Sequence, residues 1–343
     1  MSRFKPFVIV FLSCLVFFLS LYAVSQLDYR AILFVRSLNE PVIVELGNLG
    51  NRLGDGVTLV LLSLGFFLVG YVWKKDAFRQ TGIDSLVAHA LAGIAVQIPK
   101  HLIGRPRPRF AHQDAFDYGP SFQGGLDAFP SGHSAASFAV AAVLARYFPQ
   151  MSWLWYGAAF FVALSRFLRG SHFPTDVLAG AALGYLVGYV CARPYKEWRQ
   201  SLCQALPPGL PLLVGGLALF WITFRQPLSG GLAVAMDWVG LLMLFGGIAA
   251  RWNFVWKNLY APVSSQGIMF QGSLCIGLGL ALTTHSLLVV LLAGFASVVW
   301  WIQFFGEEET LDQPSMAREI FLGVFLVGAM ITLRGLNGLI PLQ

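Results

Sequence analysis

Three short stretches of this chain hold residues whose types and spacing could do chemistry. Lys100 to Pro108 reads Lys-x6-Arg-Pro, Pro130 to His133 reads Pro-Ser-Gly-His, and Ser165 to Asp176 reads Ser-Arg-x5-His-x3-Asp. Together they supply the cations Lys100, Arg107 and Arg166, the histidines His133 and His172, the acid Asp176 and the small-residue turn Ser131-Gly132. Cations and free backbone N–H groups suit a tetrahedral anion, and a histidine beside a carboxylate suits a nucleophile or a proton carrier. That is the equipment of a phosphoryl-transfer site in which cations supply the charge a metal would otherwise bring.

Each residue also has a plainer reading. Lys100, near the end of an apolar stretch, fits an interfacial lysine that snorkels as well as it fits an anion ligand. Gly104 and the two Arg-Pro pairs then stop the helix and return the chain, so that Arg107 can face the same anion. Arg107 binds two oxygens with its planar fork, whereas Lys100 acts as a point charge. Arg105 has the wrong spacing from Lys100 for that motif and is left as an auxiliary cation. Ser131 reads as the N-cap of a helix, where its hydroxyl and the Gly132 amide can hold a phosphoryl oxygen, although an ordinary capped helix start uses the same residues. His133 tips that balance, because a titratable group there can protonate a leaving oxygen. Asp176 falls four positions after His172, within reach of a ring nitrogen if a helix begins near Pro174. As a mere acid in a first helical turn it is equally at home.

The three blocks, present in order with no substitution at a motif position, resemble the type 2 phosphatidic acid phosphatase family, relatives of the vanadium haloperoxidases. The resemblance covers about residues 50 to 195. It implies that His172 attacks phosphorus and forms a phosphohistidine, that His133 protonates the leaving oxygen and then activates water, and that Asp176 supports His172. It implies that Lys100, Arg107, Ser131, Gly132 and Arg166 bind the phosphoryl oxygens, with neither cofactor nor metal, so activity is expected in chelator.

The elements that position these residues are read from composition. Of 343 residues, 57% are hydrophobic and 12% charged, with a mean hydropathy of +0.67. A soluble domain carries about 25% charged residues. The chain therefore reads as an all-α, polytopic membrane bundle, since only helices or closed barrels satisfy the backbone in lipid. Six spans are expected at about 7–24, 57–73, 85–103, 133–148, 153–167 and 177–192, with short interfacial helices over 26–56. The first span is longer than a signal-peptide core and reads as a retained anchor. Cys14, Cys191, Cys203 and Cys275 are unpaired in spacing and read as packing residues.

If the six spans alternate, the basic groups Arg3 and Lys5, Lys74, Lys75 and Arg79, and Arg193, Lys196 and Arg199 share one side, the cytoplasmic one by charge bias. The three motifs then meet on the other side. The net charge of +6 is read the same way, as topology, and no nucleic-acid partner is implied. A phosphate site entered between apolar helices suits a lipid phosphate held in the bilayer: an isoprenoid diphosphate, phosphatidylglycerophosphate, phosphatidate or the phosphate of lipid A. The expected location is a bacterial inner (plasma) membrane, with the site facing the periplasm or exterior. The loop 111–129, with His112, Asp114, Asp117, Tyr118 and Asp127, either shapes headgroup selection or carries solvated charges.

The expected division is a phosphatase domain over 1–200 and a second membrane domain of about five helices over 201–343. Within the latter, Asp237 lies in an apolar run, where it could line a lipid path, couple to a proton or pair with a neighbouring helix. His285, in a turn between spans, reads as structural. Two competing readings stay open: a phosphotransferase that passes the group to a second lipid, and a lipid transporter with a phosphatase-like binding module.

Overall fold

The computed structural model describes residues 5–38, 40–110, 119–194, 197, 210, 213–225, 228–257, 267–304 and 316–337. Among them all regular structure is helical, as composition requires. The chain forms two compact units, residues 28–205 and residues 1–27 with 206–343.

The unit 28–205 carries all three motifs. Its helices are α2 (Asp28–Ser37), α3 (Pro41–Leu53), α4 (Gly56–Val72), α5 (Asp76–Ile103), α6 (Gly132–Tyr147), α7 (Ser152–Leu168) and α8 (Pro174–Cys191). The short helices α2 and α3 fill the stretch that was too polar to span. A bend of 52° separates α3 from α4, and the Asp55 carboxylate caps α4 by accepting from the Val57 N–H at 3.0 Å.

At the centre lies α6, flanked by α5, α7 and α8. From Ser134 to Leu144 every residue except Phe138 is buried. Its small side chains let neighbours approach closely, and α8 presents Gly180, Gly184 and Gly188 to it. A Cβ at these glycines would stand 2.3, 2.0 and 2.2 Å from the carbonyl oxygens of Ser131, Ala135 and Ala139. This is the small-residue packing by which membrane helices bring backbones together. It fixes the start of α6 beside the start of α8, where Pro-Ser-Gly-His and Asp176 lie. The Tyr147 hydroxyl donates to Asp84 at 2.6 Å and ties the other end of α6 to α5.

The second unit contains α1 (Lys5–Ser25), α9 (Leu213–Phe224), α10 (Gly231–Lys257), α11 (Gly267–Leu282), α12 (Leu287–Phe304) and α13 (Met316–Asn337). The first helix, which carries no motif residue, packs on α12, so this grouping differs from the expected 1–200 division at α1. Asp237 accepts from Arg334 of α13, and the His285 Nε2 lies 3.1 Å from the same oxygen. Of the three readings of Asp237, pairing with a neighbouring helix is the one these contacts display. A second ion pair, Arg251 with Glu319 at 2.6 Å, also links α10 to α13.

Among the described residues, six helices are long and apolar enough to cross a membrane, and the bent pair α3–α4 makes a seventh candidate. Of the about five helices expected over 201–343, three correspond to shorter apolar helices, Leu213–Phe224, Met269–Leu282 and Leu287–Ile302. The span expected at 133–148 is α6, whose Ala and Ser residues serve packing inside the bundle rather than contact with lipid. Large apolar side chains such as Ile94, Ile98 and Leu102 on α5 and Phe160 on α7 are exposed, as expected of lipid-facing surfaces.

Candidate active site

The three motif stretches converge because backbone hydrogen bonds stitch their loops together. Helix α5 ends at Gly104, whose left-handed φ of 57° lets its N–H reach the Lys100 carbonyl at 3.0 Å. A Cβ here would also stand 2.0 Å from the Gly119 carbonyl oxygen, so only glycine fits. The returning chain pairs with the loop ahead of α6: Arg107 N–H donates to Gly125 at 2.9 Å and Ala128 N–H to Arg105 at 3.0 Å. The Ser131 N–H then donates to the Asp176 carbonyl at 2.9 Å, joining the second motif to the third. Gly170, with φ 61°, closes α7 and allows the Ser171 and His172 N–H groups to turn back onto the Arg166 carbonyl.

All eight residues expected at the site are gathered at this end of the unit. The charge on Lys100 is felt at His133, as are those on Arg166 and His172; His172 in turn feels Asp176, Arg166 and Arg107. Ser131 is the N-cap of α6. Its Oγ accepts from the Ser134 hydroxyl at 3.0 Å, which leaves its own proton to donate. Gly132 opens the helix, and the dipole favours an anion there. Arg166 is buried and donates through Nη1 to Asn51, and its Nε–H has no acceptor among the described residues.

His172 is almost wholly buried, and its Nδ1 lies 2.8 Å from the Ala128 carbonyl oxygen. A carbonyl only accepts, so this contact places a proton on Nδ1 and leaves Nε2 with a free lone pair. Burial holds the imidazole below its ordinary pKa, with Asp176 pulling the other way. The expected hydrogen bond from His172 to Asp176 is not made; the gap is 3.8 Å. The reason is local. Asp176 sits at the third position of α8, where its Oδ2 accepts the Phe173 N–H at 2.8 Å and caps the helix.

Arg105 requires a correction of role. Its Nη1 donates to Asp176 Oδ1 at 2.6 Å and its Nη2 to Asp28 Oδ2 at 2.7 Å, while its guanidinium lies 4.2 Å from the centre of the Phe173 ring. It is a buried structural cation, not an auxiliary ligand for the anion. Asp28 also accepts from Thr175, N–H at 3.0 Å and hydroxyl at 2.6 Å. Burial pushes its pKa up to about 6 against the pull of Arg105. Nothing in the sequence flagged Asp28, which lies 148 positions before Asp176 in the chain.

Lys100 and Arg107, the cations expected to bind phosphate, share a carboxylate partner, Asp127. Arg107 grips Asp127 with two hydrogen bonds, Nε to Oδ1 at 2.8 Å and Nη2 to Oδ2 at 2.7 Å. Lys100 Nζ lies 3.6 Å from the same Oδ2. Its loop companions His112, Asp114, Asp117 and Tyr118 lie outside the described residues, as does Cys203.

A helical membrane bundle with a histidine nucleophile candidate, an acid–base candidate and a cationic cradle defines a phosphatase domain. The PAP2 superfamily profile matches residues 81–200, the region that carries all three motifs. Among curated proteins it is similar to a lipid A 1-phosphatase of Rhizobium etli, 29% identical over 214 residues that cover 58% of this chain and 91% of the relative. A lipid A 4'-phosphatase of Porphyromonas gingivalis is 28% identical over 161 residues, 44% of this chain and 68% of the relative. A bacitracin transport permease protein of Bacillus licheniformis is 40% identical over 60 residues, 18% of this chain and 30% of the relative. No solved structure matches.

Proposed function

We propose that this protein removes a phosphate group from a membrane lipid through a phosphohistidine on His172, with lipid A as the leading substrate class. The observation that carries the reading is the Nδ1 contact of His172 with the Ala128 carbonyl, which keeps the proton on Nδ1 and leaves Nε2 as the unprotonated, nucleophilic nitrogen. The similarity to lipid A phosphatases supports lipid A ahead of the isoprenoid diphosphate, phosphatidylglycerophosphate and phosphatidate readings.

The chemistry follows from the residues. His172 Nε2 attacks phosphorus in line, the P–O bond to the lipid breaks, and His133 gives its proton to the departing oxygen. Water then attacks phosphorus, the P–N bond breaks, and His133 takes a proton from the water, so that lipid alcohol and inorganic phosphate are the products. Lys100, Arg107 and Arg166, the Ser131 hydroxyl and the Gly132 N–H hold the equatorial oxygens while charge develops. The cationic donors lie where a metal would otherwise be needed, and turnover in chelator is expected. The basic groups near Lys74 and Arg193 support a site on the non-cytoplasmic face through charge bias.

The test is phosphate release by the detergent-purified chain, in chelator, from a panel of the four lipid classes, with His172→Ala beside it. Release from lipid A that is lost in the variant supports the reading. Release from a different class moves the substrate, and release undiminished in the variant removes His172 as the nucleophile.

A further inference from the structure

Asp127 holds the two cations that the proposed mechanism assigns to phosphate. Its contact with Arg107 is the bidentate fork by which arginine recognises a phosphoryl group, and Lys100 lies close to the same oxygen. A solvated loop acid would not be gripped in this way. The other acids nearby behave differently: Asp28 and Asp176 are 3% and 0% exposed, with both oxygens of each engaged. The Asp127 side chain is 28% exposed. Its neighbours in the chain are fixed by the Ala128 N–H bond to Arg105 and the Arg107 bond to Gly125, so the side chain can swing while the loop stays put.

We propose that Asp127 is an internal competitor for the phosphate cradle, gripping Arg107 and Lys100 and yielding them when a phosphoryl group binds. This rests on reading those two cations as phosphate ligands. A dianionic phosphoryl group outcompetes a single carboxylate for the fork, so substrate still binds. Inorganic phosphate, the product, must leave a site with three cations. A carboxylate that reclaims two of them lowers the affinity for free phosphate and speeds release. Arg107 holds the Asp127 carboxyl well below the usual carboxylate range, so the competitor stays charged at neutral pH.

The alternative is that Asp127 merely orients Arg107, and the two roles differ in sign. Removing a competitor tightens anion binding; removing an orienter loosens it. The experiment measures inhibition and direct binding of inorganic phosphate and orthovanadate with the purified full chain, comparing wild type, Asp127→Asn and Asp127→Ser. Loss of a negative charge this close to the cradle should lower the inhibition constant for both anions about ten-fold in either variant. Unchanged or weaker inhibition overturns the proposal. Asp127→Ser, which removes both the charge and the fork, decides the sign if Asp127→Asn fails to fold. Wild type that binds neither anion would instead sink the assignment of Lys100 and Arg107, a separate failure.

Discussion

Arg105 donates from Nη1 to Asp176 Oδ1 at 2.6 Å, and Asp176 is completely buried. Through its other nitrogen the same guanidinium reaches Asp28 on α2, so one arginine ties the start of α8 to the helix where this unit begins. The His172 loop hangs from that anchor. Breaking a buried pair leaves a bare charge and costs roughly 3–5 kcal/mol. Arg105→Ala is therefore expected to lower the unfolding midpoint in detergent. Asp28→Ala should do the same, and the double variant should cost less than the sum because both residues belong to one network. Strict additivity would show that the two act independently.

The acid limb of the pH profile follows from His172, while His133, which must carry a proton in the first step, governs the opposite limb. The nucleophile must be neutral, and burial places its folded pKa below 6.5. Activity should therefore persist as pH falls through 6.5 and decline only as pH passes the lowered folded value. Stability runs with it: the unfolded chain binds this proton more readily, so the contribution of neutral His172 is present above 6.5 and is lost as pH falls below it. The kcat/KM profile in an Asp28→Asn background, which removes the carboxyl whose pKa burial pushes up to about 6, separates that group from the His172 limb. Because Asp176 pulls His172 upward, Asp176→Asn should move the limb further to acid. A limb above 6.5 would contradict the buried geometry.

Close approach of α6 and α8 is tested by Gly184→Ala. The new Cβ would meet the Ala135 carbonyl oxygen at 2.0 Å, and the two helices must separate. Overpacking of this kind costs roughly 1–3 kcal/mol. Activity should fall as well, because Ser131 and Asp176 are joined across that interface. Gly157→Ala on α7, where a Cβ meets nothing, is the control and should leave both unchanged.

The helices, and the eight candidate residues that the fold gathers at one end of the unit, were legible because a lipid environment and an anion site both impose strong rules. Apolar runs betray spans, and charge at fixed spacing betrays an anion site. What stayed hidden depends on contacts between distant segments. Asp28 reads as an ordinary acid opening a short helix, and only the folded bundle brings Arg105 to it. The His172 partner is a backbone carbonyl, Ala128, which no side-chain pattern can announce. The use of Gly180, Gly184 and Gly188 is known only once α6 lies against them. The expected span 133–148 coincides with α6, but its place at the centre of the bundle, with its alanines buried against neighbouring helices, could not be read from hydropathy alone.

The central claim is a covalent phosphoryl group on His172, and it can be trapped. p-Nitrophenyl phosphate has a leaving group that needs no proton, so in His133→Ala the first step should proceed while hydrolysis, deprived of its base, lags. We would quench that reaction in alkali and locate the phosphate by mass spectrometry. Phosphate on His172 is the predicted result; phosphate on another residue, or turnover with no phosphoenzyme, would contradict the account.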